Sequence, residues 1–193
     1  MPKEDVERYW NHIPWSIVPP SFQVDLCLFL AGRKPAIRTR VKYQKKIQPF
    51  LNNILDFGWH PVHDKSGFLV ISKDKDLSQT IIQVDQSPPP HAIQLGCLLG
   101  YPECCSKFIE YIGEDGIDKV AEGYKRTDFK GLFSFIDISS YLDGIALISH
   151  VPCSTKCQSS LNIALSVYSF VKENSLVKGY DCWARSIIDY FRK

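Results

Sequence analysis

Long apolar runs are the first thing missing from this 193-residue chain. The longest strongly apolar segment, Leu26 to Ala31, falls far short of the ~20 residues a helix needs to cross a bilayer. No membrane helix is expected. Gly-rich phosphate loops, Ser/His/Asp signatures and a His-Glu-x-x-His zinc motif are also absent, so the motif-defined nucleotide-binding, serine-hydrolase and zinc-protease classes receive no support. Repeats and low-complexity tracts are lacking. Net charge is almost balanced at +2, which gives the whole chain no strong pull toward polyanions. The opening residues Met1-Pro2-Lys3-Glu4-Asp5 are charged and lead into no signal-like apolar stretch. A soluble, cytoplasmic protein is therefore expected.

What is present can fill a core. Apolar residues make up 45% and aromatics 12%, which suits a compact globular fold and excludes intrinsic disorder. Seven cysteines are an odd number in a chain large enough to fold without staples, and in a reducing compartment clustered thiols point to metal or redox chemistry. Cys27 and Cys97 lie among leucines and read as small buried hydrophobes. Cys182, in Tyr180-Asp181-Cys182-Trp183, has no clear reading.

The expected class is α+β. Residues 1–35, broken by Pro14, Pro19, Pro20 and Pro35, read as an extended N-terminal arm, or short helices, wrapping over a single compact domain of residues 36–193. Within 36–86, apolar spacing from Ile37 to Asp56 approximates a helix. A hairpin follows, with Gly58 to His63 and Phe68 to Ser72 flanking the turn Asp64-Lys65-Ser66-Gly67, and Thr80 to Val84 is a candidate third strand of a small antiparallel meander. After Ser87-Pro88-Pro89-Pro90, residues 87–193 read as mainly helical, with helices near 90–99, 103–112, 115–125, 130–142, 157–173 and 181–192. Ile145 to Ser149 reads as a short strand or buried extended segment.

Four cysteines fall into two clusters, Cys104-Cys105 and Cys153-x3-Cys157, each preceded by proline at the expected mouth of a helix. Proline and glutamate suit a helix's first turn, and unpaired N–H groups there stabilise a thiolate, the species that binds metal or attacks as a nucleophile. Two such helix mouths facing each other would assemble four sulfurs. The alternatives are a structural zinc site, an iron–sulfur cluster, and a redox pair or nucleophilic cysteine without metal. Adjacent Cys104 and Cys105 argue against a simple zinc ribbon, whose ligand spacing is wider, and a disulfide between them would be strained. His150, three residues before Cys153, is a candidate ligand or base. Glu103 and, more weakly, Tyr101 are candidates for proton transfer.

The segment Gly100-Tyr101-Pro102-Glu103-Cys104-Cys105, with Phe108, paired with His150-Val151-Pro152-Cys153-Ser154-x2-Cys157, resembles the motif pair of DUF483, a family of unknown function. The resemblance covers roughly residues 90–170. It implies an intact cysteine site and no particular reaction. A looser likeness is to the cysteine-rich domain of heterodisulfide reductases, which also joins a Cys-Cys pair to a later pair around an iron–sulfur cluster. Here the later spacing is x3 rather than x2, and no matching upstream cysteine exists.

Between Leu26 and Leu55 lie seven basic residues and no acidic ones, Arg33, Lys34, Arg38, Arg40, Lys42, Lys45 and Lys46, so the rest of the chain carries −5. This stretch is a candidate face for nucleic acid or an acidic carrier protein, or a plain solvated face. His60 and His63 alternate to opposite sides of a strand and do not share a metal; His91 reads as a surface residue. The functional expectation is a small enzyme of sulfur, redox or specialised biosynthetic metabolism acting on an unknown small molecule, with Cys104, Cys153, His150 and Glu103 as its catalytic groups. It would use an iron–sulfur cluster or an activated thiolate. The competing expectations are a non-enzymatic adaptor with a structural zinc held by Cys104, Cys105, Cys153 and Cys157, and a metal-free thiol–disulfide protein.

Overall fold

The computed structural model describes residues 1–41 and 48–192, apart from the side chain of Glu114. It is an α+β fold, with a three-stranded antiparallel sheet in the N-terminal half and helices beyond it. The strands are β1 (Ala36–Arg40), β2 (His60–His63) and β3 (Phe68–Ser72), in the order β1-β3-β2. The expected hairpin forms. Its turn is closed by the Phe68 N–H donating to Asp64 Oδ1 at 2.8 Å, with Gly67 at φ +96°, where a side chain would be strained.

Strand alternation sends β3 into two separate cores. Leu69 and Ile71 join the main core, while Val70 joins a smaller one with Ala36, Ile81, Ile82 and Leu99. The sheet is thus buried on both faces, which explains why β3 reads as an almost continuous apolar run. Helix α4 (Lys75–Asp85) covers the smaller core. It occupies the stretch expected to supply the third strand, because Asp74 caps it by accepting from Asp76 and Leu77 N–H, and that cap outweighs the β-branched run Thr80-Ile81-Ile82. The third strand is instead β1, carved from the front of the expected helix over 37–56; among the described residues there only α3 (Gln48–Asp56) is helical, and residues 42–47, with Lys42, Lys45 and Lys46, lie outside them.

Of the two readings of the first 35 residues, the structure has the short helices and not the extended arm. They are α1 (Lys3–Asn11) and α2 (Phe22–Leu30), and in α2 every residue except Gln23 is buried. A helix apolar on all sides belongs in the middle of a fold, and α2 sits between β1 and α8 (Gln158–Glu173). The other helices are α5 (Ala92–Leu98), α6 (Glu103–Ile112), α7 (Glu114–Gly123) and α9 (Asp181–Phe191). The helix expected over 130–142 is two short 3-10 turns, Gly131–Ile136 and Tyr141–Asp143. No strand forms over 145–149, although Ala146, Leu147 and Ile148 are buried. Gly96 of α5 faces Ser106 of α6 so closely that a Cβ would stand 2.1 Å from Ser106 Oγ. That absence of a side chain sets the position of α6, and α6 carries the first two cysteines.

Candidate metal centre

Cys104 and Cys105 occupy the first turn of α6, just after Pro102. Cys157 is the residue at the N-terminal cap of α8, and Cys153 stands in the loop before it. The loop is fastened by the Tyr124 hydroxyl donating to Pro152 O at 3.1 Å. Residues 153–157 are therefore not helical, yet the two helix mouths meet. All four sulfurs lie within 4.8 Å of one another. Cys104, Cys105 and Cys157 form a near-equilateral triangle with Sγ–Sγ edges of 3.9, 3.8 and 3.6 Å. Adjacency of Cys104 and Cys105 is no obstacle, because successive residues in an opening helical turn can both lean over the helix end.

Cys105 and Cys157 are buried, Cys153 is half-buried and Cys104 is exposed. Burial raises the Cys105 thiol well above its ordinary range, against the opposing Ser160 hydroxyl and Cys153 N–H. Burial and then the neighbouring Cys157 push Cys153 to about 11. Burial also acts upward on Cys157, but hydrogen bonds from the Ser160 side chain and backbone, then from Cys105 and Cys153, bring it down to about 7. The pocket therefore concentrates its stabilisation of negative charge on one sulfur at the mouth of α8.

Ser160 is the residue that the sequence reading missed. Its hydroxyl donates to Cys157 Sγ at 3.3 Å, lies 3.4 Å from Cys105 Sγ and meets His150 Nε2 at 2.8 Å. The available signal was its position three residues after Cys157, on the same face of a helix. His150 lies outside the four-sulfur group and reaches it through Ser160. Its ring packs against Tyr101 at 5.2 Å, and burial followed by the Lys34 ammonium lowers its pKa to about 3, so it is neutral.

Glu103 stands beside the cysteine pair in sequence, but its carboxylate is turned to Lys107. It is exposed and ion-paired with Lys107 at 2.6 Å, which holds its carboxyl below the ordinary range. Cys27 is buried, with Sγ 3.4 Å from the Tyr180 hydroxyl. Cys97, expected in the core, is exposed, as is Cys182.

Among the described residues of the basic stretch Lys34 alone is buried, while Arg38 is half-buried and Arg33 and Arg40 are exposed. Lys34 is only 4% exposed and donates to Asp25, to Ser149 Oγ at 3.0 Å and to Tyr101 Oη at 3.3 Å. Burial would lower its pKa, but Asp25 and then Tyr101 more than offset this and hold it above the ordinary value. Arg38 pairs with Asp85 at 2.8 Å, and Arg33 donates to Ser166 Oγ at 2.7 Å. Lys34 is thus not part of any docking face. His60 and His63 lie in β2 as expected, while His91 is buried rather than on the surface.

Comparison with protein-family models, with curated proteins and with solved structures finds no match. The chemistry of the centre is accordingly read from its own geometry. Among the described residues, no helix is long and apolar enough to cross a membrane.

Proposed function

We propose that this protein holds one zinc ion in a closed tetrathiolate site made by Cys104, Cys105, Cys153 and Cys157, and that the ion ties the start of α6 to the 150–157 loop and α8. The observation that carries this reading is the sulfur spacing. An ion bonded to four sulfurs at about 2.3 Å sets them about 3.8 Å apart at the corners of a tetrahedron. The measured edges of 3.6–3.9 Å match one face of that figure. A four-iron cluster would hold its thiolates about 6 Å apart, since each sulfur stands beyond an iron at a cube corner.

Four protein thiolates leave no open coordination position for substrate or water, which is the mark of a structural ion and not of a catalytic one. With Glu103 turned to solvent and His150 bonded to Ser160, the supporting groups fit the same role. His150 and Ser160 orient the sulfurs from behind, as outer partners of metal ligands do. This favours a metal-organised binding protein over an enzyme working through the cysteines. Seven free thiols suit a reducing compartment, and a cytoplasmic location is part of the proposal.

The test is anaerobic purification of the full chain with metal analysis and an absorption spectrum. One zinc per chain with a featureless visible spectrum is expected, falling to none in Cys153→Ser, together with a large loss of Tm on chelation. One iron per chain would keep the site and replace the ion. Several irons with a broad visible band would refute the single-ion reading. A metal-free chain with fewer than seven titratable thiols would replace it with a disulfide protein.

A further inference from the structure

Beside the metal centre, and not part of it, a cavity of about 710 Å³ opens between the sheet and α5–α7. This is the size of a small-molecule site. Its inner end is formed by Leu99, Gly96, Ser106 and Val151, all buried, together with Tyr101 and Ser149. Its rim carries the exposed residues Gln86, Asp118, Glu122 and Leu142. The walls between are largely aliphatic, with Leu95, Ile109, Ile117 and Ile138 contributing.

The inner end has an unfilled donor requirement. All three protons of the Lys34 ammonium are spent, on Asp25, on Tyr101 Oη and on Ser149 Oγ. A hydroxyl that accepts from an ammonium keeps its own O–H to give. Neither Tyr101 nor Ser149 gives that proton to any acceptor among the described residues, and both line the cavity. Two polarised O–H donors therefore border the same apolar space.

Charge decides what kind of acceptor fits. Lys34 is neutralised by Asp25, so the inner end offers no net positive charge. Asp64, Asp85, Asp118 and Glu122 line the cavity against a single guanidinium, Arg38, itself paired with Asp85. A carboxylate or phosphate would enter against this field, and an ammonium bonded to either hydroxyl would stand one oxygen away from the Lys34 ammonium. We propose that the cavity binds an uncharged, mainly apolar molecule through a carbonyl oxygen (a ketone, ester or amide) that accepts from Tyr101 and Ser149. The site is separate from the metal and does not depend on which ion the thiolates hold.

The experiment is a fluorescence titration of the full, metal-loaded chain with the naphthalene ketone prodan, whose emission responds to hydrogen bonding at its carbonyl. Its parent dimethylaminonaphthalene, which lacks the carbonyl, and the matching naphthoate anion are titrated alongside. Saturable binding of one ketone per chain is expected, with the parent and the anion each weaker by about three- to tenfold or more. The pair Tyr101→Phe and Ser149→Ala should reduce ketone affinity by about tenfold while leaving the parent's unchanged. Because both residues touch Lys34, a second variant guards against misfolding: Ala121→Trp fills the cavity from α7, away from that network, and should abolish binding with metal content unchanged. Equal affinity for ketone and parent, tighter binding of the anion, or prodan binding that survives Ala121→Trp would each overturn the proposal.

Discussion

Replacing Lys34 by methionine should be among the most damaging single changes in the molecule. Lys34 and Asp25 are 4% and 2% exposed, so neither charge can recover its hydration when the other is removed. The substitution keeps the unbranched apolar stem, one atom shorter, and deletes three hydrogen bonds, leaving Asp25 with the Tyr141 hydroxyl at 3.0 Å as its side-chain donor. Breaking a buried pair on one side costs about 3–5 kcal/mol. At about 2–4 °C of Tm per kcal/mol for a chain of this size, the fall is about 6–20 °C. Thermal unfolding followed by circular dichroism measures it. Adding Asp25→Asn to Lys34→Met should cost much less than the two single changes summed, because the orphaned charge has gone. A Tm within about 3 °C of the parent for Lys34→Met alone would show that the pair is hydrated, and would restore Lys34 to the surface.

Three further outcomes follow from single contacts. His150 takes a proton only near pH 3 in the folded chain against 6.5 ordinarily, so between these values the unfolded state holds more protons and stability falls as pH falls, by at most about 1.4 kcal/mol per pH unit. Tm measured from pH 7 to 4.5 should drop less steeply in His150→Gln, and parallel slopes would contradict the neutral buried ring. Trp183→Phe strands the Gly144 carbonyl that now accepts from Trp183 Nε1 at 2.8 Å in a buried setting, a loss of about 1–3 kcal/mol in denaturant unfolding; a change below about 0.5 kcal/mol would mean that water replaces the indole. Glu103→Gln, by contrast, should leave both zinc content and Tm unaltered, since its ion pair with Lys107 is exposed and such pairs contribute little. A loss of metal in that variant would return Glu103 to the site.

The cysteine site was legible because its signals are local. Proline before cysteine, at the start of an amphipathic run, marks a helix mouth wherever the rest of the chain goes, and two such marks suffice to suggest a meeting. The hairpin was legible for the same reason, since Asp64 and Gly67 close it within their own turn. The third strand was not. Ala36–Arg40 becomes a strand by pairing with Ser72–Phe68, some thirty residues away, and nothing in its own pattern separates it from the helical spacing that follows. The Asp74 cap is a local signal, and it prevails over the β-branched residues behind it. Lys34 marks the limit of composition as a guide. Seven like charges look like a face, and only the position of Asp25 decides which of them is turned inward.

The contact between Cys27 and Tyr180 spans 153 positions of sequence, and its consequence is one of timing. Helix α2 is buried on nearly every side, yet part of what covers it, α8 and Tyr180, lies near the other end of the chain. At about 5–20 residues per second of synthesis, α2 waits about 8–30 s between emerging and meeting Tyr180. During that wait its apolar surface is available to chaperones and to other nascent chains, and the high sequence separation of these closing contacts slows the search once synthesis ends. For this fold the hazard of misassembly is concentrated in nine residues near the start of the chain.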